Sequence, residues 1–259
     1  MVKKTILVCA LLFILPNVVR ADDADIANLY AKYGITGALI ITSLDGRVEY
    51  SYNEERLAQR YLPASTFKIP NTLIALEEGT VSGESAVIKW DGKDKGWVKW
   101  NKDQTLGSAF TLSCVWCYQE FAEKIGNDTY LKHLNALNYG NQKTGNNVTT
   151  FWLEGELKIS AVEQIDFLRK VYLEQLPFDE KHIRLLKKLM IVEKTPAYLL
   201  RAKTGWAIRI TKQHGWYVGY VEAKGKAWFF ANNIEINSRQ DSRFRKRLVM
   251  EALKVKGLI

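Results

Sequence analysis

The chain has 259 residues, 47% of them hydrophobic and 12% aromatic, with only 17 Gly and 5 Pro. That apolar content supplies a substantial core and excludes a low-complexity or collagen-like chain, while the length allows one large domain or two small ones. The formal charge of +9 permits a nucleic-acid or membrane-surface partner without demanding one, and three cysteines exclude a dense disulfide scaffold and any four-cysteine zinc site.

Lys3 and Lys4 precede an apolar run from Thr5 to Val19, and Val19 and Ala21 sit at −3 and −1 of a cleavage point before Asp22. This is the order of a secretory signal, too short and too soon followed by acids for a membrane span. The reading is a signal peptide over 1–21 and one domain over 22–259, working in a periplasm. Cleavage removes three of the 37 basic residues and no acid, lowering +9 to +6. It also removes Cys9, leaving Cys114 and Cys117.

In the mature chain, Gly37–Ser43, Asp45-Gly46 and Arg47–Tyr52 read as a β-hairpin, because Asp-Gly favours a two-residue primed turn. Helical periodicity follows over Phe67–Glu78, with Gly79 as the stop, then Gln119–Lys124, Thr129–Ala136, Ala161–Tyr172 and Glu180–Ile191. Three strands rich in aromatic and β-branched residues come late, at Trp206–Thr211, Trp216–Glu222 and Ala227–Asn232. Asp241–Val255 reads as a closing helix. Strands at both ends with helices between define an α+β fold whose sheet is completed by the C-terminal half. No repeat or linker divides it.

Chemistry concentrates at Ser65-Thr66-Phe67-Lys68, where Ser65 is the only serine with a lysine three residues on. A helix opened by Ser65 sets Lys68 one turn along on the same face. A serine hydroxyl needs a neighbouring base, and a lysine serves only when an apolar pocket lowers its pKa. Taken alone, the tetrapeptide reads more readily as a helix N-cap serine with an exposed lysine. Ser113-Cys114-Val115, Tyr139-Gly140-Asn141 and Lys203-Thr204-Gly205 follow in order. Ser-x-Val recurs at Ser85 and Ser160, and Lys-Thr-Gly at Lys143–Gly145, but that copy lies among polar turn residues whereas the second leads into a strand.

With these four motifs in this order the sequence resembles the class D β-lactamases, the oxacillinase family of the penicillin-recognising serine enzymes. The likeness runs through the mature chain, including Trp97–Ser108 and Phe151–Ser160. It implies a β-lactamase/transpeptidase-like fold: a mostly antiparallel central sheet from both chain ends, flanked by helices, with a helical subdomain inserted in the middle. It implies that Ser65 forms an acyl-enzyme with β-lactam antibiotics and that backbone N–H groups of Ser65 and Trp206 hold the oxyanion. Lys68 is then carboxylated by carbon dioxide, enclosed by Val115 and held by the Trp152 indole. Ser113 relays a proton with Lys203, while Lys203, Thr204, Gly205, Trp206, Arg245 and Tyr139 face the substrate. Arg243 and Arg247 stand near enough to compete with Arg245. No metal and no cofactor beyond carbon dioxide or bicarbonate is implied, nor any nucleic-acid partner, nor a membrane contact after signal cleavage; monomer and homodimer stay open. A β-lactam sensor that stays acylated and a cell-wall D,D-peptidase would use the same serine and lysine.

Three features carry no motif. His133, His182 and His214 are scattered without ligand spacing and read as structural or surface residues. Cys114 and Cys117, three apart in a helix-prone stretch, are expected to be two buried thiols, since a regular helix aims their sulfurs poorly for a bridge. The charges from Arg239 to Arg247 are mostly a solvated basic face.

Overall fold

A computed structural model describes residues 22–259. The signal-peptide reading of 1–21 lies outside the described residues. The elements run α1 (Ala24–Tyr33), β1 (Gly37–Ser43), β2 (Glu49–Tyr52), α2 (Glu54–Ala58), α3 (Lys68–Glu77), β3 (Val87–Ile88), β4 (Gln104–Thr105), α4 (Leu106–Thr111), α5 (Val115–Ile125), α6 (Asn127–Leu137), α7 (Ala161–Tyr172), α8 (Glu180–Leu189), β5 (Ile191–Lys194), β6 (Tyr198–Ala207), β7 (His214–Ala223), β8 (Lys226–Glu235) and α9 (Phe244–Val255). The main sheet is antiparallel in the order β2-β1-β8-β7-β6-β5, so the two ends of the chain meet at the β1–β8 pair.

Alternation along the strands serves two cores, as a pleated strand with both faces covered must. Leu39 and Ile41 of β1 pack with Tyr217, Phe230, α1 and α9 on one face. Ala38 and Ile40 join Val218, Phe229, α3 and α5 to α8 on the other. Helix α7 is set by a capping box in which Ser160 and Glu163 satisfy each other's backbone N–H groups. Helix α1, not anticipated from periodicity, is fixed by its ends: the Asp23 carboxylate caps Asp25 and Ile26, and Gly34 closes it at φ +60°.

Two strand expectations are corrected. The Asp45-Gly46 pair does not make a two-residue turn; the strands stay apart over Leu44–Val48, closed by Ser43 N–H to Val48 O at 2.9 Å. Trp206–Thr211 is not the strand that follows Lys203-Thr204-Gly205. The strand starts at Tyr198, contains that motif, and stops at Ala207, where Ile208 projects into solvent. Likewise the helix expected to reach Ile191 ends at Leu189, and Ile191 opens edge strand β5.

Candidate active site

Ser65 sits in a single 3-10 turn, Ala64–Phe67, that runs directly into α3. In a 3-10 turn residues i and i+3 eclipse one another, which brings Lys68 Nζ to 3.5 Å from Ser65 Oγ. Ala64 adopts φ +48°, a conformation that costs an L-residue about 1–2 kcal/mol, and its N–H is held by the Trp152 carbonyl at 2.9 Å. The carbonyl of Pro63 accepts from the Thr66 hydroxyl at 2.7 Å, and Gln164 of α7 donates to that same hydroxyl oxygen at 2.9 Å. The carbonyl of Leu62 meets the Trp216 indole N–H and His214 Nε2, each at 2.9 Å. Gln164, His214 and Trp216 therefore brace the nucleophile, and no sequence motif marks them. Tyr118, absent from the sequence reading too, has its ring 4.7 Å from Lys68 Nζ.

Lys68 is 1% exposed. Burial, and then the charge of Lys203, hold its amine well below the usual lysine range. Val115 opens α5 one turn before Tyr118, whose hydroxyl bonds Thr72 at 2.7 Å. Trp152 is fully buried, stacked on Phe67 at 5.6 Å, and its indole N–H has no partner among the described residues.

Ser113 stands at the corner between α4 and α5 with φ +54°. Its N–H bonds Phe110 O at 3.2 Å and that of Cys114 bonds Ala109 O at 2.9 Å, the pair of bonds that ends a helix through a left-handed residue. Glycine usually fills that position; here a serine does, and its hydroxyl accepts a short hydrogen bond from Lys203 Nζ. Burial lowers Lys203 to about 7, helped by Arg245 and Lys246. The expectation of two thiols fails. Cys114 caps α5 from outside the helix, with ψ 110°, so its sulfur reaches Cys117 across a Cα separation of 5.5 Å, and the two form a disulfide.

Strand β6 brings the remaining groups. β5 pairs with it only up to Arg201, and from Lys203 onward its outer edge faces the nucleophile turn. A Cβ on Gly205 would lie 2.9 Å from Pro63 O and 3.2 Å from Thr66 N, so only glycine permits this approach. Arg245 of α9 donates to Gly205 O at 2.7 Å and lies 5.6 Å from the Trp206 ring. Arg247 instead pairs with Glu251 at 2.8 Å, and Arg243 is exposed against Phe244, which separates Arg245 from its neighbours. Lys68, Lys203 and Arg245 have no carboxylate partner among the described residues.

Tyr139 is not brought to this cleft. It is 1% exposed, between Phe67 at 5.8 Å and Phe167 at 5.1 Å, and so packs behind the nucleophile turn instead of facing a substrate. Lys143–Gly145 lies in a loop. The histidines have local partners: His133 with Glu78, His182 with Glu77, His214 with Leu62 O. Among the described residues no group of three or more His, Cys, Asp or Glu is placed to hold a metal.

Over residues 28–254 the chain matches the penicillin binding protein transpeptidase domain family. It is 40% identical over 230 residues to β-lactamase OXA-48 of Klebsiella pneumoniae, covering 89% of this chain and 87% of that protein. It is 42% identical over 234 residues to β-lactamase OXA-20 of Pseudomonas aeruginosa, covering 90% and 86%. The crystal structure of a class D β-lactamase, YbXI from Nostoc, matches with a TM-score of 0.88 at 39% identity, covering 90% of this chain and 99% of that one. The class D β-lactamase from Sebaldella termitidis also gives 0.88, at 40% identity, covering 92% and 98%. The chain belongs to the class D β-lactamases.

Proposed function

We propose that this enzyme hydrolyses the β-lactam amide of penicillins and related antibiotics through an acyl-enzyme on Ser65, and thereby confers resistance to them. The observation that carries the reading is Ser65 Oγ standing 3.5 Å from a buried lysine held below its usual pKa, with no carboxylate partner among the described residues, at the open edge of β6. Lys68 takes the Ser65 proton, and the freed oxygen bonds to the lactam carbonyl carbon. The ring C–N bond then breaks, and the nitrogen receives a proton relayed through Ser113 from Lys203. Backbone N–H groups of Ser65 and Trp206 face the developing oxyanion, where each such donor contributes about 3 kcal/mol. Lys203, Thr204 and Arg245 attract the substrate carboxylate to a site rich in unpaired positive charge.

Two observations of this pocket fit a carbamate on Lys68. Its amine is biased toward the neutral form that carbon dioxide requires, and the buried Trp152 indole N–H lacks an acceptor. Carboxylation supplies an anionic base in the apolar pocket, suited to both acylation and deacylation. Residues 1–21 carry the order of an export signal, so we assign the enzyme to the periplasm.

Two measurements test this. With excess chromogenic cephalosporin the purified protein turns over continuously; a single stoichiometric burst with no further release would overturn hydrolysis in favour of a sensor. In buffer stripped of carbon dioxide at mildly acidic pH the rate falls and bicarbonate restores it, whereas a bicarbonate-independent rate argues against carboxylation.

A further inference from the structure

The Cys114–Cys117 bridge closes one residue beyond Ser113, the proton relay of the proposed reaction. Cys114 serves two elements at once. Its N–H, bonded to Ala109 O, completes the left-handed ending of α4, and its sulfur accepts from the Cys117 N–H at 3.3 Å as the cap of α5. The corner between the two helices is Ser113 itself, a non-glycine at φ +54° that bears the hydroxyl meeting Lys203. A residue in that conformation relaxes unless its surroundings over-determine it. Trp100 fixes the near side of the corner, its indole N–H bonding Leu112 O at 3.1 Å. The far side is fixed by the covalent tie from Cys114 to the first turn of α5, both sulfurs lying in residues with no exposed surface.

We propose that the Cys114–Cys117 disulfide is a positioning element of the proposed acylation, holding Ser113 in the left-handed conformation that aims its hydroxyl at Lys203. It forms when the two thiols give up two protons and two electrons to a small-molecule or protein disulfide, which is reduced to two thiols as the S–S bond closes. Protein folded in a reducing compartment therefore carries a looser Ser113, and oxidation after export tightens it. This rests on the Ser113 relay proposed above, and the bridge acts through Ser113 without touching substrate.

The test compares two forms of one chain. Purified protein is unfolded with reductant, then refolded either under dithiothreitol or in a glutathione redox buffer, with thiols counted by mass after alkylation in denaturant. Active sites are titrated by the acylation burst, and rate constants are expressed per titrated site. The dithiol form is expected to acylate roughly tenfold or more slowly, since sub-ångström misplacement of a relay group costs rate on that scale. Its deacylation stays unchanged, and oxidation restores acylation. Equal acylation rates per site in the two forms overturn the proposal, because a merely structural bridge lowers the number of active sites without altering each one. Should the dithiol form fail to refold, Cys114→Ala/Cys117→Ala is measured instead. Failure of both to give acylable protein assigns the bridge to folding and also overturns the positioning role. Oxidised protein that opens no β-lactam at all overturns the hydrolytic reading, separately from the role of the bridge.

Discussion

A buried N–H with nothing to donate to costs about 1–3 kcal/mol, and Trp152 carries one in the aromatic cluster behind the nucleophile. Function and stability therefore pull apart at this residue. Trp152→Phe retains an aromatic ring against Phe67 and removes the unsatisfied donor. The unmodified variant is expected to hold its thermal midpoint within a few degrees while its single-turnover deacylation slows about tenfold or more. It should also need more bicarbonate for half-maximal rate. A destabilised variant with unaltered bicarbonate dependence would make Trp152 a packing residue only.

Lys203 yields a prediction with a sign. Its amine titrates at about 7 when folded against an ordinary 10.5. Between those values the unfolded chain binds a proton that the folded chain does not, so stability from this group rises with pH across that window. The burial penalty is fully present below 7 and gone above 10.5. Wild type should accordingly gain thermal midpoint relative to Lys203→Met as pH rises from 7 to 10; a constant difference would contradict the depressed pKa. Ser65, Lys68, Ser113 and Lys203 were legible in the sequence because local motifs encode them. Gln164, His214 and Trp216 were not, because reaching the Thr66 hydroxyl or the Leu62 carbonyl from 98 to 154 residues away leaves no local pattern. Tyr139 misled for the opposite reason: its motif is local, but its burial is decided by Phe67 and Phe167.

Among the elements, β7 and α9 hold Arg245 between them. A Cβ on Gly215 would fall 2.6 Å from Ile236 Cδ1 and against the Arg245 side chain. Gly215→Ala is expected to push the guanidinium off Gly205 O and raise KM several-fold, about 1–2 kcal/mol of overpacking. Ser65 should still be acylated at saturating substrate. An unchanged KM would show that Arg245 does not meet the substrate carboxylate. Helices were readable where an apolar stripe and end signals agree, as in α7, and the strands β7 and β8 through their aromatic runs. Strand β6 was misplaced because Arg201, Lys203 and Thr204 break its apolar run, while the alternating Trp206–Ile210 stretch pairs with β7 only as far as Ala207. The cysteines mislead because both read as lying in one regular helix, whereas Cys114 stands outside α5 as its cap.

At the scale of the whole molecule, the sequence pattern led correctly to a sheet built from both chain ends, though not to its order. Periodicity cannot show that β8 lies between β1 and β7, which only the register reveals. That order also says where the positive charge is spent. Arg245 and Lys246 both stand near enough to Lys203 to help burial lower its pKa, so the net +9 does not describe an evenly basic surface. Raising ionic strength is expected to weaken capture of an anionic penicillin, lowering kcat/KM more than kcat. An equal fall in both would place the salt effect elsewhere.

The β1–β8 seam has a temporal meaning as well. Gly37 pairs with Ile234 and Ser43 with Trp228, so the middle of the sheet joins segments separated by nearly the entire domain. Such distant pairing closes slowly, because the loop entropy is lost before the contacts form. A chain emerging from the ribosome thus has no sheet to close until its last strands exist. The nucleophile turn, whose brace includes His214 and Trp216, stays unassembled with it. This topology therefore makes the serine–lysine pair one of the last parts of the molecule to come together.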